Sequence, residues 1–336
     1  MNRNPFLRSI LIPALISLVL LASIGIFMGL LAFFTAILLV VLEVTLSFDN
    51  AVVNAKVLER MSPLWQRRFL TWGILISVIF TRAVLPILIV AASVALSPFA
   101  VAKIAALDPL RYAELLEGAE HIIASFGGIF LTMVGLKYFF DEGKSVHWIY
   151  LIERRFAGWG SVEAIEIAIG LGILSLVALI VPLHSLSILF AGIVAIVLFI
   201  IVQGVASSFS VSTSDVATAG TALFVYLNIL DAAFSLDSVV GAFAISTQLP
   251  IIIIGLGIGA YVVRALTVYM VHSGVLSNLT YIEHGAHWAI LGLAAAMIAN
   301  LFIDIPEPVM GLIGLLFIGG AYISSIRSVS HKKVKA

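Results

Sequence analysis

The chain has 336 residues, of which 62% are hydrophobic and 11% are charged, and its formal net charge is zero. A soluble domain carries roughly 25% charged residues, so the composition excludes a soluble protein, and the charge balance gives no indication of nucleic-acid binding. The chain contains no cysteine, which excludes disulfides, thiolate metal sites and cysteine nucleophiles.

Runs of about twenty apolar residues recur along the whole chain, and each is long enough to cross a bilayer as a helix. The first run follows a basic N-terminus and resembles a secretory signal, but further spans follow it, so we interpret it as the first membrane helix. The ten predicted spans lie roughly at 6–27, 30–57, 67–96, 117–140, 163–181, 184–205, 217–246, 249–275, 285–304 and 307–327.

Ten spans place both termini on the same side of the membrane. The loops on that side contain fourteen of the Lys and Arg residues, whereas the opposite side has only Lys103 and Arg111. Because basic residues are concentrated in cytoplasmic loops, both termini are predicted to be cytoplasmic. The cytoplasmic segment 141–162 mixes aromatic and charged residues, which is typical of a helix at the membrane interface. Residues 97–116 form the one long outer loop.

Two of the spans contain acidic and other oxygen-bearing side chains where apolar ones are expected. Residues 43–50 read E-V-T-L-S-F-D-N, and residues 231–238 read D-A-A-F-S-L-D-S. On an ideal helix, one face would hold Glu43, Ser47, Asn50 and Asn54 in the first stretch, and Asp231, Ser235 and Ser238 in the second. Asp49 and Asp237 point about a third of a turn away, so they face a different neighbour or the helix breaks near the serine.

The two stretches belong to an internal repeat. The span after each contains a single arginine, Arg82 or Arg264, and the next span begins with Glu-His. Those pairs are Glu120-His121 and Glu283-His284. Because the repeat is offset by five spans, the second copy is inverted in the membrane, as in secondary transporters. The sequence therefore predicts an all-α polytopic fold of a 5+5 inverted repeat, with halves at 1–181 and 182–336.

Six charges inside the spans would cost roughly 15–20 kcal/mol if left unpaired, so they must be compensated. If Asp49 pairs with Arg82 and Asp237 with Arg264, Glu43 and Asp231 remain with a combined charge of −2. One divalent cation or two protons would neutralise them. Carboxylate, amide and hydroxyl oxygens favour hard ions such as Mn²⁺, Mg²⁺ or Ca²⁺. The sequence indicates a non-enzymatic transporter without a bound cofactor.

The paired stretches, E-V-T-L-S-F-D-N and D-A-A-F-S-L-D-S-V-V-G-A-F-A-I, resemble the motifs of the TerC family of membrane proteins, which is linked to tellurite resistance by name and to manganese export by function. The resemblance covers about 200 residues and departs from the family pattern at Val240, where that pattern has proline. It implies a Mn²⁺ exporter of the bacterial inner membrane. The residues at the motif positions, which it implies bind or relay the ion, are Glu43, Asp49, Asn50, Asp231, Asp237 and Ser238.

Other interpretations remain open. The buried polar groups could be interhelical hydrogen-bonding contacts, and the arginines could be purely structural. Glu120 and Glu283 could form outer and inner vestibule sites, or lie at helix N-termini for the helix dipole alone. The alternative functions are an intramembrane aspartyl-type enzyme and a membrane scaffold of a metal- or tellurite-stress complex. The expected partners are a divalent metal ion, protons and the lipid bilayer, with a homo-oligomer or a stress-response protein left open.

Overall fold

A computed structural model describes residues 5–141, 143–144, 146–162, 164–211, 216–274, 276 and 279–335. In this part of the chain all regular secondary structure is helical, and there is no strand. Its helices are α1 (Pro5–Met28), α2 (Leu30–Leu46), α3 (Phe48–Leu58), α4 (Pro63–Ser93), α5 (Pro98–Leu107), α6 (Pro109–Gly118), α7 (Glu120–Phe139), α8 (Tyr150–Trp159), α9 (Ile165–Ile180), α10 (Ser185–Val211), α11 (Val216–Ile245), α12 (Leu249–Ser273), α13 (Ile282–Ala299) and α14 (Glu307–Lys335).

Six of the described helices are long and apolar enough to cross a membrane, and a bent pair, α2 with α3, raises the number to seven. Shorter apolar stretches lie in α1, α5, α9 and α11. Large apolar side chains such as Phe27, Leu31 and Leu183 are exposed on the outside of the bundle, as expected where lipid replaces water. The chain is an all-helical membrane protein, and most helix ends lie within a few residues of the predicted ones.

The segment predicted as the long outer loop forms two short helices, α5 and α6, instead. Each begins with a residue that caps the helix N-terminus, followed by proline: Ser97 accepts a hydrogen bond from the Ala100 amide, and Asp108 accepts one from the Arg111 amide. These are the usual start signals of a helix, and they are readable in the sequence. The helix predicted in the cytoplasmic segment forms as α8.

Glycines allow the central helices to approach closely. α7 packs against α13, and α2 packs against α12. A Cβ atom on Gly127 would lie 2.4 Å from Cε of Met297, and a Cβ atom on Gly259 would lie 2.5 Å from Cβ of Glu43. No real Cβ contact is this short, so the close packing of α12 on the acidic end of α2 requires glycine at position 259.

Two helices that carry the polar residues depart from regular α-helix. The chain bends by 55° between α2 and α3 at Ser47, whose backbone angles (φ −102°, ψ 12°) are not helical. Two π-helical segments, Phe69–Gly73 and Ser77–Val84, interrupt α4. Such segments are rare and occur frequently at functional sites. α11, in contrast, continues as one helix through Ser235, so only the first copy of the motif is broken.

Candidate functional site

The first buried ion pair joins Glu43 on α2 to Arg82 on α4, and Nη2 of the arginine donates to Oε1 of the carboxylate. The Ser47 hydroxyl donates to the same oxygen over 3.1 Å. The other terminal nitrogen of Arg82 donates to the carbonyl and the hydroxyl of Ser77, at 2.8 and 2.7 Å, and to the Thr81 hydroxyl at 3.0 Å. Both side chains of the pair are 1% exposed, so the pair lies in the interior of the bundle.

The second buried ion pair joins Asp231 on α11 to Arg264 on α12, with 2.6 Å between Nη2 and Oδ2. The other terminal nitrogen of Arg264 donates to the Phe69 carbonyl over 3.2 Å, and its guanidinium lies 4.3 Å from the centre of the Phe69 ring. That carbonyl belongs to a π-helical segment of α4. A Cβ atom on Gly73 would lie 2.3 Å from this guanidinium nitrogen, so glycine is needed beside it.

The two copies of the motif meet at Asp231. The Asn50 side-chain amide on α3 donates to Oδ1 of Asp231 over 2.9 Å, although 181 positions separate the two residues. The Ser77 hydroxyl and Arg82 also lie close enough to the Asp231 carboxylate to interact with it. The two ion pairs therefore form one buried network, and the charges of its two acids and two arginines sum to zero.

The observed pairing differs from the one assumed from the sequence, in which Arg82 pairs with Asp49 and Arg264 with Asp237. α2 presents Glu43, rather than the residues beyond its bend, to α4. Asp49 lies in the first turn of α3, after the bend, and is 2% exposed. Its carboxylate accepts a 2.9 Å hydrogen bond from the backbone amide of Asn50. Among the described side chains none forms an ion pair with Asp49. The side chain of Asp237 lies outside the described residues.

The remaining members of the predicted oxygen-bearing faces are buried in the same region. Asn54, Ser235 and Ser238 are each 1% exposed, and the Ser238 hydroxyl donates to the Ser235 carbonyl over 3.0 Å. The face predicted from helical spacing is therefore an interior face of the bundle. The bend at Ser47 changes the direction of this face, but its oxygen-bearing side chains remain buried in the bundle.

Several polar atoms of this region have no hydrogen-bond partner among the described residues. The acceptors are Oε2 of Glu43 and the side-chain oxygens of Asn50 and Asn54, and the donors are Nε of Arg82 and Nε of Arg264. Buried carboxylate and amide oxygens with free lone pairs are the ligands that hard divalent cations prefer. In the described part of the chain, no three His, Asp or Glu side chains are placed to hold a metal ion together. A cation here would therefore need amide and hydroxyl oxygens beside the acids.

The predicted outer vestibule residue Glu120 lies at the wall of a cavity of about 680 Å³. Its carboxylate accepts a 2.5 Å hydrogen bond from the Asn300 amide. The acidic residues Glu117 and Asp304 line the same cavity, which reaches Leu42 on α2, next to Glu43. His121 points elsewhere and stacks on His184, with 4.2 Å between the ring centres. Glu120 therefore belongs to a cavity that reaches α2 at Leu42 without being lined by the buried ion pairs, and His121 does not line it.

The predicted inner pair, Glu283 and His284, separates into two different contacts. Glu283 is 3.8 Å from Lys56, whereas Nδ1 of His284 is 2.7 Å from a carboxylate oxygen of Glu153 on α8. Because His284 is 3% exposed and Glu153 is 1% exposed, this pair anchors α8 and does not face an open vestibule. Of this pair, only Glu283 is partly exposed, and it lies beside Lys56.

Sequence reasoning missed several residues of the network. Ser77 contacts Arg82 and lies close to Asp231, and the Phe69 carbonyl and Gly73 position Arg264. Ser77 and Gly73 are the visible signals, since each interrupts the apolar run that leads to Arg82. The π-helical turn that contains the Phe69 carbonyl, which accepts from Arg264, has no sequence signature comparable with a helix cap.

Comparison with curated proteins and with solved structures found no match to the chain. A family model described as "Protein of unknown function (DUF475)" matches residues 48–332, which contain both arginines and every motif acid except Glu43. This match covers most of the chain, so the protein belongs to the DUF475 family.

Proposed function

We propose that the protein exports a divalent metal cation, with Mn²⁺ as the first candidate, across the bacterial inner membrane in exchange for protons. The observation that carries the proposal is the buried contact between the two motif copies, in which Asn50 bonds Asp231. Buried oxygens of Glu43, Asn50 and Asn54 without partners among the described residues are available as hard ligands. The resemblance of the motifs to those of the TerC family favours Mn²⁺ among the hard cations.

An inverted repeat of five helices in each half is part of this proposal, and the ion pairs support it. Glu43 pairs with Arg82, and Asp231 pairs with Arg264, so each half contributes an acid and an arginine from the corresponding pair of helices. A site between two such halves near the middle of the bilayer suits alternating access. The contact of Lys56 with Glu283 joins groups predicted on the same membrane side, which agrees with the predicted order of the spans.

The arrangement disfavours an intramembrane aspartyl enzyme. Such an enzyme needs two carboxyl groups that share a proton at close range. Glu43 and Asp231 instead each bind an arginine, and amide and hydroxyl groups lie around them. A pure scaffold would not need the buried acids, which are expensive in a membrane and are usually functional.

The test is cation flux through vesicles that contain the purified full-length protein. Loaded with Mn²⁺, Mg²⁺ or Ca²⁺, wild-type vesicles are expected to release at least one of these ions and to take up protons. Glu43→Gln and Asp231→Asn remove the charge but keep the shape of each side chain, so release should fall to the rate of protein-free vesicles. Circular dichroism of both variants checks that the helical fold is retained.

Glu114→Gln is the matched control because Glu114 is an exposed acid on α6, away from the network. Its flux should equal that of the wild type. Wild-type flux of all three ions at the background rate would refute the proposal, as would unchanged flux in both site variants.

A further inference from the structure

Each of the two candidate cation ligands, Glu43 and Asp231, is bound by an arginine from its own half of the chain. A guanidinium donates into the lone pairs that a metal ion would use, as Arg82 does at Oε1 of Glu43 and Arg264 does at Oδ2 of Asp231. A divalent cation that binds these two oxygens must compete with the guanidiniums for them, although Oε2 of Glu43 has no hydrogen-bond partner among the described residues. Two tethered positive charges also repel a cation that approaches the same space.

The network is poorly satisfied for a purely structural pair of salt bridges. A buried ion pair that only supports the fold needs hydrogen bonds for its remaining donors and acceptors. Here Nε of Arg82, Nε of Arg264 and Oε2 of Glu43 have no partner among the described residues. This pattern fits groups that have a second arrangement in which their bonding changes.

The surroundings of the arginines also suit movement. Arg82 lies in the π-helical segment Ser77–Val84. Arg264 donates to a carbonyl of the other π-helical segment and occupies the space that Gly73 leaves open. A π-helical turn can revert to α-helix with a shift of one residue in its hydrogen bonds, which would move Ser77 and Phe69 relative to both guanidiniums.

We propose that Arg82 and Arg264 are tethered cations that compete with the transported ion for Glu43 and Asp231. The inference rests on the proposed function and extends it to specificity. The two guanidinium charges equal the charge of one divalent ion, so their return neutralises the carboxylates after the ion has left. The arginines therefore set the cation affinity and supply counter-charge to the carboxylates while no metal ion is bound.

The first experiment measures Mn²⁺ binding to the purified full-length protein by calorimetry. Arg82→Gln and Arg264→Gln each remove one competitor, so the dissociation constant should fall roughly 10-fold to 100-fold, which corresponds to the loss of one charge-assisted hydrogen bond. Arg82→Lys keeps the charge but loses the guanidinium fork, so its affinity for Mn²⁺ should lie between that of the wild type and that of Arg82→Gln. Arg111→Gln, in an exposed position on α6, should bind as the wild type does.

The second experiment separates transport steps in vesicles. Without its internal counter-charge, the site of Arg82→Gln should return across the membrane slowly when no metal ion is bound. Net Mn²⁺ efflux is then expected to fall severalfold, while one-for-one exchange of labelled Mn²⁺ across the membrane continues near the wild-type rate. An arginine that serves only the fold would lower both rates together.

Tighter binding with exchange retained supports the inference. Unchanged or weaker binding in the Gln variants, with the wild type still binding Mn²⁺, overturns the inference and leaves the proposed function standing. A wild-type protein that binds none of Mn²⁺, Mg²⁺ and Ca²⁺ overturns both. If a Gln variant fails to fold, Arg82→Lys and Arg264→Lys decide, and binding no tighter than that of the wild type counts against competition.

Discussion

Each guanidinium in the network replaces the hydration that its carboxylate loses inside the bundle. Removing one partner of a buried ion pair typically costs about 3–5 kcal/mol, because an uncompensated charge is left behind. The pair of Asp231 with Arg264 depends on space as well as charge, since Gly73 lies where any side chain would meet the guanidinium. At the residue scale, a glycine without any polar group therefore helps to determine the electrostatics of the site.

Gly73→Ala should displace the Arg264 guanidinium, because the new Cβ atom would lie 2.3 Å from Nη1. The expected result is a loss of ~1–3 kcal/mol in the free energy of unfolding, the usual cost of overpacking. Chemical denaturation of the detergent-solubilised protein measures it. Gly172→Ala is the matched control, since a Cβ atom on this glycine of α9 would meet nothing within 4 Å. Equal stability of the two variants would contradict the packing argument.

At the scale of elements, the buried carboxylate of Glu153 links α8 to the bundle, beside the ring contacts of Phe156 with Phe139 and Trp288. Glu153 accepts hydrogen bonds from the Trp148 and Ile149 amides at 3.1 and 3.2 Å, from His284 at 2.7 Å and from the Trp288 indole at 2.9 Å. Two of these donors directly precede α8 and two belong to α13. Glu153 therefore caps its own helix and docks it on a membrane-spanning helix at the same time.

Glu153→Gln should loosen α8, because the side chain loses its charge and with it the charge-assisted bond from His284. Hydrogen bonds to charged groups are worth about 1.5–3 kcal/mol, so amide exchange over 150–159 should accelerate roughly tenfold or more while the rest of the bundle stays protected. Arg155→Gln changes an exposed charge on the same helix and should leave exchange unaltered. Unchanged protection of α8 in Glu153→Gln would show that other contacts hold it.

The same docking should depend on pH in a defined direction. Burial raises the pKa of Glu153, but the bonds from His284, Trp288 and the Ile149 amide outweigh burial and lower it from 4.5 to about 2. Because the pKa of Glu153 is lower in the docked form, its carboxylate stabilises docking at any pH above the pKa of the undocked carboxyl group. That contribution is lost as the pH falls towards the pKa of the docked form. The protection factors of the α8 amides in the wild type, measured relative to their intrinsic exchange rates, should therefore fall as the pH is lowered from 4.5 to about 2.

At the scale of the whole molecule, the two ends of the helix bundle differ in their charged residues. The basic residues are concentrated at one end, and the contacts agree with this division, since Lys56 meets Glu283 and His121 meets His184. These pairs join residues that the positive-inside distribution assigns to the same side. The acid-lined cavity beside Glu120 opens at the opposite end from α8.

Single cysteines test the orientation directly, since the natural chain has none. Arg111→Cys on α6 should react with a membrane-impermeant maleimide in intact spheroplasts. Arg155→Cys on α8 should react only after the membrane is opened, because cytoplasmic loops are enriched in Lys and Arg. Mass shifts on gels measure both reactions. The reverse pattern of labelling would place the termini outside.

Much of the fold could be predicted because it depends on local signals. Apolar runs located the long helices, and the spacing of Glu43, Asn50 and Asn54 identified a shared face that is buried in the structure. The two short helices at 97–116 were missed although their Ser97 and Asp108 caps were readable. The partners of the arginines could not be predicted, since Glu43 and Asp49 are both within plausible reach of Arg82 until the bend at Ser47 is known.

The sequence by itself determined that this is an all-helical membrane protein with acids and arginines inside its spans, because hydropathy and charge placement are properties of the chain alone. It also identified the two related stretches that meet in the interior. Only the tertiary structure decided which acid faces which arginine, which hydroxyl lies close to both pairs and which oxygens lack partners. Those outcomes depend on the bend at Ser47, the π-helical turns of α4 and the close approach at Gly73 and Gly259, which arise from packing between distant segments.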